Sequence, residues 1–320
     1  MRSKNNNFSF SAFSQSDLLI YHTTREGEKR IGDTILPMSD ASTANFIILG
    51  ISESIGPLAN RGNEGAENAF ESFLPSFLSM QDFNHGCACI GEVTWIGADK
   101  ELFLLRDYVS ELDEFVLTIL VKYVHLNQIP IVIGGGHNNA LPLIRWANLK
   151  NGKIDVLNFD AHADCREMEG RHSGNSFSYA ISEMLIDKYH VFGLHKAYLN
   201  SFSHQFLIDN AAAFTFYENY LDGIGNLSSD IDDLISKRGQ DSVFGIEIDL
   251  DCIADMPSSA ISPSGWDFDE IRSSLRKLAH SNLKIAYLNL TEAAPLTDLE
   301  KKKVGKALAY LVRDFIEKSH

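Results

Sequence analysis

Short apolar runs alternate with longer amphipathic stretches from residue 45 almost to the end of the chain. Seven runs read as strands: 45–50, 130–133, 154–159, 190–193, 213–216, 242–248 and 283–290. They are apolar at successive positions rather than alternate ones, which suits strands covered on both faces, as in a parallel sheet. The stretches at 66–80, 100–127, 139–148, 177–186, 226–237, 267–280 and 297–317 predict helices. Strand–helix alternation over this length predicts an α/β protein, a three-layer α/β/α sandwich with a mainly parallel central sheet. Residues 1–44 are polar and weakly patterned. They predict an N-terminal arm or an early helix ahead of a single domain at 45–320. The irregular stretches 58–65 and 255–265 are the segments expected to reach over a site.

Composition narrows the class. A chain of 320 residues can bury a sizeable core. Its formal net charge of −15 argues against a nucleic-acid partner, which requires clustered Lys and Arg. No apolar stretch is long and uncharged enough to span a bilayer. The first seven residues lack the apolar centre of a signal peptide. The expectation is a soluble, cytoplasmic protein with no membrane partner. Cys87, Cys89, Cys165 and Cys252 do not make a disulfide framework in so long a chain. Cys165 and Cys252 each follow a carboxylate of interest, which makes them candidates for lining a site without ligating.

The chemistry concentrates where predicted strands end. The run at 154–159 closes on Asp160-Ala161-His162-Ala163-Asp164, three metal-capable side chains in five residues. Were the strand to continue, Asp160 and Asp164 would lie about 13 Å apart, too far for one ion. The chain must curl there, and the two alanines leave room for it to do so. The run ending at Ile133 leads into Gly134-Gly135-Gly136-His137, where the glycines let the backbone turn tightly and bring His137 to the strand end. The run at 242–248 leads into Asp249-Leu250-Asp251. Two Asp residues two apart point the same way from a strand end, and their proximity is costly unless a cation sits between them. Two His and four Asp form a mixed set rich in hard carboxylates, which fits a pair of divalent ions better than one tetrahedral zinc. Mn²⁺ suits such a set, and Zn²⁺ or another divalent ion is also compatible with it. Ligands in an open parallel sheet bind beyond the carboxyl ends of the strands, and all three segments fall there.

With these segments in order, and with Asn289-Leu290-Thr291-Glu292-Ala293-Ala294-Pro295 after the last strand, the chain resembles the ureohydrolase family of arginases, agmatinases and formimidoylglutamases over roughly residues 45–320. The resemblance implies the arginase-like α/β/α fold, two Mn²⁺ and a homo-oligomer. It implies one ion on His137, Asp160, Asp164 and Asp249, the other on Asp160, His162, Asp249 and Asp251. It places Glu292 where the family binds an amidine or guanidine group, and His172 near the family's proton-shuttling histidine. Three positions depart from arginases and agmatinases: Gly136 replaces an Asp, Glu247 replaces a Ser, and the Pro after the Asp pair is displaced to Pro257. These departures point away from arginine and agmatine as substrates.

The segment from Cys165 to Ala180, and Ile55-Gly56-Pro57-Leu58-Ala59-Asn60, look like the formimidoylglutamase branch. A small formimino or amidino acid with two carboxylates requires Arg or Lys in its site. Arg166, Arg171, Asn175 and His195 are the candidates for binding it, with His172 and Glu292 as the candidate catalytic pair. The reaction so implied is hydrolysis of N-formimidoyl-L-glutamate to L-glutamate and formamide. The alternatives are another ureohydrolase acting on a guanidino compound, or a metal-binding pseudoenzyme or regulator.

Overall fold

Every run read as a strand enters one ten-stranded sheet in the computed structural model, which describes residues 2–4, 7–84, 86–238 and 241–317. The strands are β1 (Arg2–Lys4), β2 (Phe8–Ala12), β3 (Phe46–Ser52), β4 (Cys87–Trp95), β5 (Ile129–Ile133), β6 (Ile154–Phe159), β7 (Ile186–Leu194), β8 (Ala213–Phe216), β9 (Val243–Asp249) and β10 (Lys284–Thr291). Their order across the sheet is β1-β2-β4-β3-β5-β10-β9-β6-β7-β8. The pairings from β4 through to β8 are parallel, and β1 and β2 join antiparallel at one edge.

Successive strand residues enter opposite cores. Ile131 and Ile133 of β5 and Leu157 and Phe159 of β6 face a layer built by helices Ala69–Leu78, Leu227–Lys237, Phe268–Ala279 and Asp298–Ile316. Val132 and Val156 face the other layer, built by helices Leu102–Tyr123, Ala140–Asn151, Ser176–Ser182 and Ser201–Asp209. A sheet with both faces covered must be apolar on both, which is why these strands read as unbroken apolar runs. Among the described residues, no helix is long and apolar enough to cross a membrane.

The segment expected to be an arm is partly sheet. Phe8 and Phe10 of β2 are fully buried, and each such burial stabilises by about 1.5–3 kcal/mol. The alternation Phe-Ser-Phe-Ser is the signature of a strand with one apolar face. Helical character in this region is confined to short pieces such as Gln15–Ile20. Strand β4 escaped prediction because Gly91 and Glu92 interrupt its apolar pattern. A side chain at Gly91, where φ is +141°, would strike Ser11 O of β2 at 2.2 Å. The helix read at 177–186 stops at Ser182, and β7 begins four residues later.

Four neighbouring strands carry the polar loops. In the order β5-β10-β9-β6, their carboxyl ends lead to His137, Glu292, Asp249–Asp251 and Asp160–Asp164. Adjacency in the sheet, not in the chain, brings them together.

Candidate metal centre

The loop after β5 is fixed by a carboxylate at the end of β3, the strand next to it in the sheet. Glu53 Oε1 accepts from Gly136 N at 2.9 Å, Asn139 Nδ2 at 2.8 Å and Asn138 Nδ2 at 3.1 Å, and its Oε2 accepts from Gly56 N at 3.0 Å. Gly136 has no room for a side chain: an added Cβ would lie 2.3 Å from Pro57 Cδ and 2.5 Å from Asn138 Oδ1. That crowding favours glycine at this position. The packed loop delivers His137 into the interior, its ring edge-on to Phe177 at 5.2 Å.

His137 Nδ1 lies 2.9 Å from Asp164 Oδ2, 3.1 Å from Asp249 Oδ2 and 3.3 Å from Asp160 Oδ2. One donor atom from each of these four residues falls within 4.8 Å of every other. Donors about 2.2 Å from one ion lie at most about 4.4 Å apart, so the set is close to a coordination sphere. A second grouping abuts it. His162 Nδ1 lies 3.5 Å from Asp160 Oδ1 and 3.7 Å from Asp251 Oδ2. Asp160 thus turns one oxygen to each histidine. Backbone amides hold the carboxylates in place: His162 N donates to Asp160 Oδ1 at 2.7 Å, Asp251 N to Asp249 Oδ1 at 2.7 Å, and Ala260 N to Asp251 Oδ1 at 3.1 Å. Asp164 sits at φ +45° and Glu292 at φ +63°, left-handed backbone that costs energy outside glycine and concentrates at functional sites.

The electrostatics favour a bound cation. Burial pushes Asp249 well above the usual carboxylate range, and the charges of Asp251 and Asp160 push it further. Burial also raises Asp164 and Asp251. Asp160 goes the other way: burial would raise it, but hydrogen bonding to His137 and His162 outweighs that and lowers it. Among the described residues, the ion-pairing partners of these carboxylates are the two histidines, with no Lys or Arg. Buried acids this close, with imidazole nitrogen turned toward them, form a donor set able to hold a divalent metal.

A cleft of about 330 Å³ opens onto the cluster, lined in part by His162, Asp164, Asp249, Asp251 and Glu292. Asn60 and Gly62 come from the irregular stretch 58–65, and Ser259 and Ala260 from 255–265, the two segments expected to reach over a site. Glu292 Oε1 accepts from His137 N at 2.6 Å, while its buried Oε2 makes no hydrogen bond among the described residues. Burial, with help from Asp251, pushes the Glu292 carboxyl up to about 8. Among the described residues, Arg166 is the one Lys or Arg on the cleft wall, half exposed, with NH1 donating to Asn60 Oδ1 at 2.7 Å.

The other candidates lie elsewhere. Arg171 is buried, with Nε donating to Asp113 Oδ2 at 2.7 Å, NH1 to Asn175 Oδ1 at 2.7 Å and NH2 to Asn138 O at 3.0 Å. Asn175 spends its Nδ2 on the carbonyls of Glu167 and Gly170. These bonds cross-link the loop, and among the described residues neither side chain lines the cleft. His195 is stacked between Tyr198 and Tyr217 at 5.4 and 4.9 Å, off the cleft. Tyr198 in turn stacks on His162 at 4.9 Å and lines the cleft. His172 is fully buried behind the wall residue Ser173. Its Nδ1 accepts from Gly174 N at 3.2 Å, and burial brings its pKa down to about 4, Glu169 opposing. Its Nε2 lies 3.4 Å from Glu169 Oε1, and among the described residues it is Ser173 and not His172 that lines the cleft. Tyr198 and Asn200 also line the cleft and were not marked by the sequence, because a single polar or aromatic residue in a loop carries no pattern.

The layers, the parallel sheet and the acidic cluster beyond its carboxyl ends define an α/β metallohydrolase-type scaffold. The sequence profile of the arginase family matches residues 78–317, and the chain belongs to that family. It is 24% identical over 298 residues to a formimidoylglutamase of Streptococcus pyogenes, covering 87% of this chain and 88% of the relative. Its fold is similar to a formiminoglutamase from Trypanosoma cruzi solved with Mn²⁺₂, with a TM-score of 0.71, 19% identity, and coverage of 91% of this chain and 100% of that one. It is similar also to the formimidoylglutamase of Bacillus subtilis, with a TM-score of 0.73, 15% identity, and coverage of 91% and 93%.

Proposed function

We propose that the protein is a binuclear metal-dependent hydrolase that converts N-formimidoyl-L-glutamate and water to L-glutamate and formamide. The observation that carries this reading is the meeting of His137, Asp160, Asp164 and Asp249 beneath a cleft that Arg166 also lines. The formimidoylglutamase relatives support the substrate.

His137, Asp160, Asp164 and Asp249 would hold one divalent ion, and Asp160, His162, Asp249 and Asp251 a second, Mn²⁺ being the ion that suits this mixture of imidazole and carboxylate. Bound there, the ions supply Lewis-acid activation of water near neutral pH. The chain's own groups do the rest. Arg166 offers a planar fork to a substrate carboxylate, a match an ammonium makes less well. Asn60 holds that guanidinium toward the cleft. The carboxyl of Glu292, whose Oε2 makes no hydrogen bond among the described residues, pairs with the nitrogen end of the formimino group, which orients its carbon over the cluster. Tyr198 backs His162 and closes one wall. Binding a dianion beside a carboxylate-rich centre needs Arg166 to offset repulsion, which makes it the specificity element against cationic guanidino substrates.

The test is a panel assay on purified protein of measured Mn²⁺ content. Release of formamide from N-formimidoyl-L-glutamate, with little urea from arginine or agmatine, is the expected result. Urea from a guanidino compound without formamide would overturn the substrate, and absence of both products would favour a binding protein.

A further inference from the structure

Two positions before Asp249, a second fully buried acid lies beneath the cluster. Glu247 of β9 is in register with Asn289 of β10 and Asn158 of β6. All three are fully buried and form a polar row across three adjacent strands, under helix Ala140–Asn151. A buried carboxylate needs donors, and Glu247 has one for each oxygen. Tyr287 OH donates to Oε1 at 2.6 Å, and Asn289 Nδ2 donates to Oε2 at 2.7 Å. The phenol reaches this position because Gly245, two residues earlier on β9, has no side chain: a Cβ there would lie 2.3 Å from Tyr287 Cζ.

This clamp holds the carboxylate against the far side of His137. The imidazole turns Nδ1 to the three Asp oxygens and Nε2 inward, where Glu247 Oε2 lies 3.5 Å away. Nε2 is buried and makes no hydrogen bond of good geometry. An imidazole nitrogen in that position can carry a proton or a lone pair. A lone pair would face a carboxylate oxygen with no water to separate them, which is repulsive. A proton there faces the negative charge favourably. With the proton on Nε2, Nδ1 is left with its lone pair toward the cluster, the form a metal requires.

We propose that Glu247 is a positioning residue that fixes His137 as the Nε2–H tautomer and strengthens its Nδ1 as a metal ligand. Tyr287 and Asn289 hold the carboxylate, and Gly245 makes room for the tyrosine. The inference rests on the reading of the cluster as a divalent-metal site. Carboxylate partners of ligating histidines typically change metal affinity by about 10–100-fold.

The test is stepwise Mn²⁺ titration of metal-stripped, folded protein, with free Mn²⁺ followed by electron paramagnetic resonance and folding by circular dichroism. Glu247→Gln puts an amide N–H among donors. It is expected to weaken one of the two binding steps by about 10–100-fold while leaving the other unchanged. Tyr287→Phe releases one oxygen of the clamp and is expected to weaken the same step less. Should Glu247→Gln not fold, the tautomer in ¹⁵N-histidine spectra of the Zn²⁺-loaded wild type decides, with protonated Nε2 expected and protonated Nδ1 overturning the proposal. Glu247→Gln that melts and binds both ions like wild type also overturns it. Wild-type protein that binds no divalent ion overturns the metal reading itself, before any variant is made.

Discussion

Asp113 and Asp249 are both buried acids on the same side of one sheet, and they have opposite meanings. Asp113 receives the guanidinium of Arg171 at 2.7 Å, itself buried, inside a network that ties helix Leu102–Tyr123 to the 166–175 loop. Asp314 is likewise paired with Arg272 at 2.6 Å and Arg276 at 3.0 Å. Asp249 has Asp160, Asp164 and Asp251 for company, and imidazoles in place of a guanidinium. An acid that folds with its own cation is structural; a group of acids that folds without one is built for a cation from outside. The lesson is that burial and acidity do not identify a site until the counter-charge has been located.

The comparison breaks most visibly at Asp249. Asp249→Ala is expected to lower kcat by roughly 10³-fold, since an ion contributes several kcal/mol to the transition state. Turnover within a few-fold of wild type would return these acids to the structural class. Arg171→Met should do the reverse. Leaving Asp113 buried and unpaired costs about 3–5 kcal/mol, read as a lower urea midpoint, with Mn²⁺ affinity retained by whatever protein remains folded. Added Mn²⁺ sharpens the contrast. At about 100 times its dissociation constant a ligand stabilises the folded state by about 2.7 kcal/mol, so the melting temperature of wild type should rise and that of Asp249→Ala should rise far less. The smallest effect is expected at Arg166, a guanidinium left free to meet a substrate. Arg166→Met removes a charged hydrogen bond of about 1.5–3 kcal/mol, a loss of about 10–100-fold in kcat/KM, with melting unchanged because the side chain is half exposed. A loss confined to stability would place Arg166 with Arg171 instead.

Arg166 and Arg171 also mark where reading from sequence stops. Five residues apart in one loop, they are the same residue type in similar company. One lines the cleft and the other is buried against Asp113 on a helix 58 positions away in the chain. Nothing local distinguishes them, because the partner that decides belongs to another element. His172 and His195 illustrate the same point: each follows a loop or strand end, as the metal-facing histidines do, yet one is sealed behind Ser173 and the other sits in an aromatic stack. Glu53 was invisible for a related reason. Its role is to accept four donors from loops that only the fold assembles.

What the chain determined unaided follows from periodicity and from like-charge chemistry. Apolar runs of strand length required a sheet covered on both faces. Asp160-x-His162-x-Asp164 and Asp249-x-Asp251 marked candidate cation ligands, since carboxylates brought close together at a strand end repel unless a positive charge joins them. Tertiary structure alone decided that β5, β10, β9 and β6 are neighbours, that two phenylalanines from the N-terminal segment close an edge, and that Glu247 lies under His137 and not at the surface. Those outcomes depend on strand order and on contacts between distant residues, and a linear pattern carries neither.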